Sequence, residues 1–318
     1  MKFSTKWAGI IAVVALMATL PLFTRNAYMI HIGIFTMMYV VLSSSLNIVL
    51  GFTGQPNFAH ATFLGLGAYA AALAAVKAGW PFWVNLPLAG IVAAIFGLVI
   101  GLPTMRVKGH HLAIVTIGFA QIIRLLEVNW DRVTNGPMGI PAIPTATLGA
   151  RAFGKVEFYY FSLCFCVVVL FVINRLANSR IGRALKSIRD DEMAAEALGV
   201  NTRYFKIYSF VMSTFWAGLC GGIYAHYVTF VSPDSFTQAD STSILCMAVV
   251  GGLGTLFGPV VGAFILSLAP EMLRFASSYR YILVGVIMVV SVMAREGVFS
   301  AAFYNLLKPF RREVPHRG

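Results

Sequence analysis

Apolar residues fall in runs near 7–24, 28–50, 58–78, 83–103, 110–130, 157–177, 206–228, 241–252, 258–275 and 279–295. A helix that crosses a bilayer needs roughly 20 mostly apolar residues. The pattern predicts an all-α polytopic membrane protein with about ten transmembrane or partly re-entrant helices. Two interruptions punctuate the runs. One is Gly51-Phe52-Thr53-Gly54-Gln55-Pro56-Asn57, and the other runs from Gly251 to Pro259 and contains Gly252, Gly254 and Gly258. Glycine permits positive φ and proline removes a backbone donor. Irregular backbone at membrane depth survives only where protein or a wet cavity satisfies it. Gly51, Gly54, Gln55, Asn57, Gly252, Gly254 and Gly258 are therefore candidates for a helix break that lines a pathway. Close helix packing is the competing role of these glycines, and it is also the role expected of Gly97 with Gly101 and of Gly218 with Gly222.

Composition agrees with a bilayer. Of 318 residues, 58% are hydrophobic and 11% charged, and the mean hydropathy is +0.79. A soluble domain carries roughly 25% charged residues. The net charge of +12 does not indicate nucleic acid, because the basic residues sit between apolar runs. With ten crossings and a cytoplasmic N-terminus, sixteen of the 24 Lys and Arg fall inside, seven outside, and Arg124 within a span. That excess follows the positive-inside rule and places both termini in the cytoplasm. Lys2 and Lys6 before the first run resemble a signal peptide. The run is long for one and lacks a clear cleavage site, so it reads as an uncleaved helix. Residues 1–297 are expected to form one transmembrane domain and 298–318 a basic cytoplasmic tail.

The polar segment 178–205 carries most of the internal charge. Asp190 or Asp191 is placed to cap a short helix, Gly199 to end it, and Asn201 or Thr202 to cap the next. Leu185, Ile188, Ala195 and Leu198 are expected to form its apolar side. The spacing fits either a compact amphipathic element or a solvated connection. The run Gly182-Arg183-Ala184-Leu185 through Asp190, Glu192 and Ala194-Ala195-Glu196-Ala197-Leu198-Gly199 resembles the cytoplasmic loop of branched-chain amino acid ABC permeases of the LivM type. Two further stretches carry the resemblance. They are Gly51-x-x-Gly54-Gln55 with Gly65-x-Gly67-Ala68-Tyr69, and Gly251-Gly252-x-Gly254-Thr255-x-x-Gly258-Pro259-x-x-Gly262-Ala263. Gln55-Pro56-Asn57 departs from the small or apolar residue and serine that the resemblance leads one to expect there.

The resemblance implies a membrane-spanning permease subunit of an importer in the bacterial inner membrane. It implies four partners: a second related permease, two cytoplasmic ATPases, and a periplasmic binding protein that supplies most of the substrate affinity. The loop would be the coupling element that enters a cleft on an ATPase. Arg183 and Glu192 are its expected polar contacts, Gly182 and Gly199 its fixed ends, and Ala195 a side chain small enough for close docking. No phosphate-loop pattern G-x-x-x-x-G-K-[ST] occurs, so ATP is expected to be used by the partners, with no cofactor on this chain.

Other chemistry is sparse. Arg124 and Glu127, at i and i+3, are able to pair. They are read either as a pathway group or as a pair reaching the outer interface. His110 and His111 read as interfacial, and His60 as a packed helix-terminal residue. Cys164, Cys166, Cys220 and Cys246 lie in apolar runs without zinc-ligand spacing, so neither a disulfide nor a metal is implied. A permease for urea, an amide or a sugar remains the nearest alternative. An ion-coupled transporter would need more ionisable groups in its spans. A membrane-embedded enzyme would need a nucleophile–base arrangement, which the runs do not show.

Overall fold

The structure is a computed structural model that describes residues 26–104, 110–148 and 151–272, with isolated positions at 17–19, 21 and 285. Apart from those isolated positions, the first and tenth apolar runs lie outside the described residues, as does the basic tail. Six described helices are long and apolar enough to cross a membrane. They belong to α1 (Ala27–Thr53), α2 (His60–Ala78), α3 (Phe82–Thr104), α4 (His110–Asn129), α6 (Lys155–Ala177) and α9 (Thr202–Val228). Between them lie the single turn α5 (Asp131–Thr134), α7 (Arg180–Asp190) and α8 (Glu192–Ala197). Two shorter helices follow, α10 (Gln238–Gly251) and α11 (Phe257–Met272). A two-residue hairpin, β1 (Thr147–Leu148) with β2 (Arg151–Ala152), sits in the connection before α6.

Helix ends follow local chemistry. The Asn26 side chain accepts from the Tyr28 amide at 3.0 Å and starts α1. Gly54, at φ 71°, ends that helix in the left-handed conformation, and Gly79, at φ 66°, does the same for α2. Thr237 and Asp240 form a reciprocal capping box that starts α10.

The core gathers on α9, which packs against α1, α2 and α3. In lipid no hydrophobic force draws helices together, so small residues that allow close approach set the contacts. Gly218 meets Ala93 and the Ala89 carbonyl of α3, and Gly67 of α2 meets Gly218 itself. Gly97 of α3 meets Thr214. Packing is thus the role of Gly218 and Gly222, as expected. Gly101 is in looser contact, since a Cβ there would lie 3.7 Å from Phe210. The apolar window of α1 is 83% buried and that of α4 only 28%, so α1 is central and α4 peripheral.

The polypeptide between α1 and α2 does not turn outside the bundle. Gln55, Asn57 and Ala59 are buried, and His60 at the start of α2 reaches Ser45, two turns inside the end of α1, at 2.9 Å. Helix α10 likewise begins inside. Gln238 Nε2 donates to the Phe58 carbonyl at 2.9 Å, and Ser241 accepts from the Ala61 amide at 3.0 Å. Its 14 residues span about 21 Å, short of the roughly 30 Å hydrocarbon core. An interior start explains that shortness.

Candidate functional site

The two glycine breaks, 200 residues apart in sequence, meet at the end of the bundle that carries α7 and α8. A Cβ added at Gly51 would lie 2.6 Å from the Gly254 amide nitrogen. Asn47, on the preceding turn of α1, holds the second break with both ends of its amide. Its Nδ2 donates to the Thr255 carbonyl at 2.8 Å, and its Oδ1 accepts from the Gly254 amide at 2.8 Å. Ser43, one turn earlier, donates to the Pro259 carbonyl at 3.0 Å. Backbone groups freed by the break are thereby satisfied inside the protein, as the low-dielectric interior requires.

Glycine is required at this junction for two reasons. Gly252 and Gly254 have φ of 115° and 76°, a region costly for other residues. Gly251 faces the Gly258 carbonyl, and Gly258 faces the Gly252 carbonyl, with no room for side chains. Close approach and backbone conformation therefore act together here.

Helix α7 touches the same junction. Arg189 Nη1 donates to the Gly51 carbonyl at 2.6 Å, and a Cβ at Gly254 would meet the same guanidinium. The segment 178–205 forms the compact element rather than a solvated connection. Ser179 caps α7, Asp191 accepts from the Met193 and Ala194 amides and caps α8, and Asn201 caps α9. Gly199, at φ 85°, ends α8, with the Val200 amide returning to the Ala195 carbonyl at 3.0 Å. Gly182 is buried against the Leu176 and Ala177 carbonyls, where a side chain would not fit.

Leu185, Ile188 and Ala195 are buried, but Leu198 is 84% exposed and Met193 74% exposed. The fourth member of the expected apolar side thus points away from the chain. Ala195 points inward, so its small size serves packing within the subunit. Arg183 is exposed. Glu192 forms an ion pair with the buried Lys206 of α9 and so ties α8 to the bundle. A cavity of about 260 Å³ separates the first break from this element, lined by Gly54, Gln55, Pro56, Arg189, Asp190 and Lys206 among others.

Further in, Asn57 Oδ1 accepts from the Ala59 amide at 2.9 Å. Gln55 Oε1, Asn57 Nδ2, His60 Nδ1 and Gln238 Oε1 are buried without hydrogen-bond partners among the described residues. His60 is the packed helix-terminal residue expected of it. Arg124 pairs not with Glu127 but with Asp234, at 2.9 Å, in the segment between α9 and α10. An i,i+3 pair was geometrically open; the long-range partner wins because this segment folds back against α4. His111 is exposed, and the side chain of His110 lies outside the described residues.

Asn47, Arg189, Lys206 and Asp234 carry this architecture, and sequence reasoning did not single them out. Arg189 lay within the quoted loop motif. The signal for Asn47 was a lone amide in an apolar run, one turn before a glycine break.

Residues 28–292 match the model of the family described as "Branched-chain amino acid transport system / permease component". The chain belongs to this family. Among its relatives is the high-affinity branched-chain amino acid transport system permease protein LivM of Escherichia coli (strain K12). It is 35% identical over 290 residues, covering 84% of this chain and 68% of the relative. LivM of Salmonella typhimurium (strain LT2) is 35% identical with the same coverage. The permease protein LivH of Escherichia coli (strain K12) is 24% identical over 264 residues, covering 76% of this chain and 84% of the relative. No solved structure matches the chain. The chain is more similar to these two LivM proteins than to LivH of Escherichia coli.

Proposed function

We propose that this permease is a membrane-spanning subunit of an ATP-driven importer that carries branched-chain amino acids across the bacterial inner membrane. The names of its LivM and LivH relatives, branched-chain amino acid transport permeases, support that substrate class. In this reading it pairs with a second, related permease. Two cytoplasmic ATPases supply energy, and a periplasmic binding protein delivers substrate. ATP is bound by the partners. The α7–α8 end and both termini face the cytoplasm.

One observation carries the coupling role. The element that would face an ATPase is bonded through Arg189 to the carbonyl of Gly51, at the junction of both breaks. A displacement of α7–α8 is therefore passed to the backbone of the membrane domain without an intervening flexible link. Met193 and Leu198, apolar and exposed on α8, are the side chains for an ATPase cleft. Buried Ala195 and the Glu192–Lys206 pair keep the helix fixed on its own subunit. The residues Gln55 and Asn57 border the path.

The test is reconstitution of the chain with the candidate partners encoded beside it, followed by uptake of labelled leucine, isoleucine and valine into proteoliposomes. ATP-dependent uptake of these three, competed by one another and not by urea or sugars, is the expected result. Uptake of urea or an amide instead would establish the alternative substrate class. Uptake that runs on an ion gradient without ATP would remove the importer reading.

A further inference from the structure

A second feature lies at the opposite end of the bundle from α7 and α8. Helices α2, α3 and α4 flank a partly open cavity of about 600 Å³. Small-molecule sites commonly measure roughly 300–1,000 Å³, mostly apolar with a few polar groups. Its wall is apolar, with Leu73, Val92, Phe96 and Ile123 among the lining side chains. Two polar residues break that wall. Glu127 is buried at 7% exposure; its backbone carbonyl accepts from the Thr134 hydroxyl at 2.7 Å, and its carboxylate lies in the field of the Arg124 guanidinium. Tyr69 is 4% exposed, and its hydroxyl has no hydrogen-bond partner among the described residues. The two are electrostatic neighbours. Lys77 lines the same cavity; its ammonium donates to the Arg132 and Val133 carbonyls, at 2.9 and 3.2 Å.

An ionisable group held inside a span is costly and is retained where it meets a partner or a ligand. The Arg124 guanidinium acts on Glu127 through space, but its ion pair is with Asp234, at 2.9 Å. What remains is a carboxylate and a hydroxyl facing an apolar chamber, with a lysine on its lining. That combination is complementary to a zwitterion with a hydrocarbon side chain. A phospholipid tail would fill the apolar part but would gain nothing from a buried carboxylate.

We propose that this cavity is a membrane-domain subsite for the amino acid itself. The Glu127 carboxylate accepts hydrogen bonds from the α-ammonium group. The Tyr69 hydroxyl donates to the α-carboxylate, and Lys77 adds positive charge to the cavity that receives it. The branched side chain lies against Leu73, Val92, Phe96 and Ile123. Selectivity for branched, apolar amino acids would then be checked a second time after the binding protein has released its load. This inference rests on the substrate class proposed above.

The experiment uses the complete complex in nanodiscs and a leucine analogue with a diazirine in its side chain. After irradiation, adducts are mapped by mass spectrometry. The expected result is labelling within α2, α3 or α4 at the cavity wall, suppressed by excess leucine. In Glu127→Gln the labelling should fall by roughly tenfold or more, the cost of losing a charge-assisted bond. Co-purification of the ATPases reports whether that variant is assembled. Val92→Trp, which fills the chamber, should lose the same adducts and slow uptake while stimulation of ATP hydrolysis by the binding protein persists. Adducts elsewhere in an assembled, transporting complex would overturn the subsite and leave the substrate class intact. Labelling of the cavity by a photoreactive phospholipid that leucine does not displace would overturn it as a lipid site. Absence of leucine uptake by the wild-type complex would instead bring down the substrate class.

Discussion

Asn47→Leu isolates the clamp that holds the second glycine break. The two side chains have the same number and branching of heavy atoms, and leucine is the bulkier, so the change removes polar bonds without opening a cavity. Asn47 is 1% exposed, and its amide satisfies two backbone groups, the Gly254 N–H and the Thr255 C=O, each at 2.8 Å. A buried polar group left unsatisfied costs about 1–3 kcal/mol. Two orphaned groups therefore cost about 2–6 kcal/mol if the backbone stays in place. The low end already corresponds to about a 30-fold shift toward an opened break. Hydrogen exchange of the complex in nanodiscs reads that shift directly at residues 252–255. The expected result is faster exchange of the Gly254 amide by at least about 30-fold, together with reduced uptake. Protection equal to wild type at Gly254, with normal uptake, would refute the claim that Asn47 holds the break.

Gly254→Leu should impair uptake or assembly, since its φ of 76° disfavours a side chain and the Cβ would meet the Arg189 guanidinium; normal expression with normal uptake would show that the junction relaxes freely. Arg189→Gln should leave the ATPases bound and lower uptake per ATP hydrolysed, measured in proteoliposomes, whereas unchanged stoichiometry would remove the Arg189–Gly51 bond from coupling. Met193→Asp with Leu198→Asp should cut ATPase co-purification by about tenfold or more, through loss of two exposed apolar contacts. For orientation, a cysteine placed at Ser187 should resist an impermeant thiol reagent in intact cells while one at Thr145 reacts; external labelling at position 187 would invert the topology.

Much of this architecture is written locally. Apolar runs set the long helices, because a span must satisfy its own backbone and match the bilayer. The caps at Asp191 and Asn201 and the exit at Gly199 were legible for the same reason: the groups that make them lie within a few residues of one another. The partner of each break was not legible. Gly51 and Gly254 are joined by Asn47 across more than 200 residues, and no periodicity encodes that pairing. The Arg124–Asp234 pair failed for the same cause, with local geometry pointing to Glu127 and the fold supplying another carboxylate. Ala195 and Leu198 show a different limit. Their spacing suggested one face, yet α8 is only six residues long and ends before Leu198. A residue at the cap no longer follows helical periodicity. Smallness in Ala195 was compatible with docking on a partner or with packing at home, and only its burial distinguishes them.

That inward turn of Ala195 changes the mechanics of the loop. A coupling element that floated on flexible ends would absorb motion from an ATPase before passing it on. Here three constraints oppose such slack. Leu185, Ile188 and Ala195 seat α7 and α8 on the bundle, Gly182 brings the first turn of α7 against the end of α6, and the Glu192–Lys206 pair fastens α8 to α9. Lys206 is 7% exposed on its side chain, so the pair is screened less than a surface ion pair, and breaking it would leave a buried charge. The rigid patch then contacts the bundle's least regular backbone through one charge-assisted bond, Arg189 to Gly51. Stiffness in the loop and irregularity at the junction are complementary. Under the proposed coupling role, a displacement of α7 and α8 would reach the place where helix hydrogen bonds are already interrupted, and there the backbone would rearrange without first breaking a continuous helix.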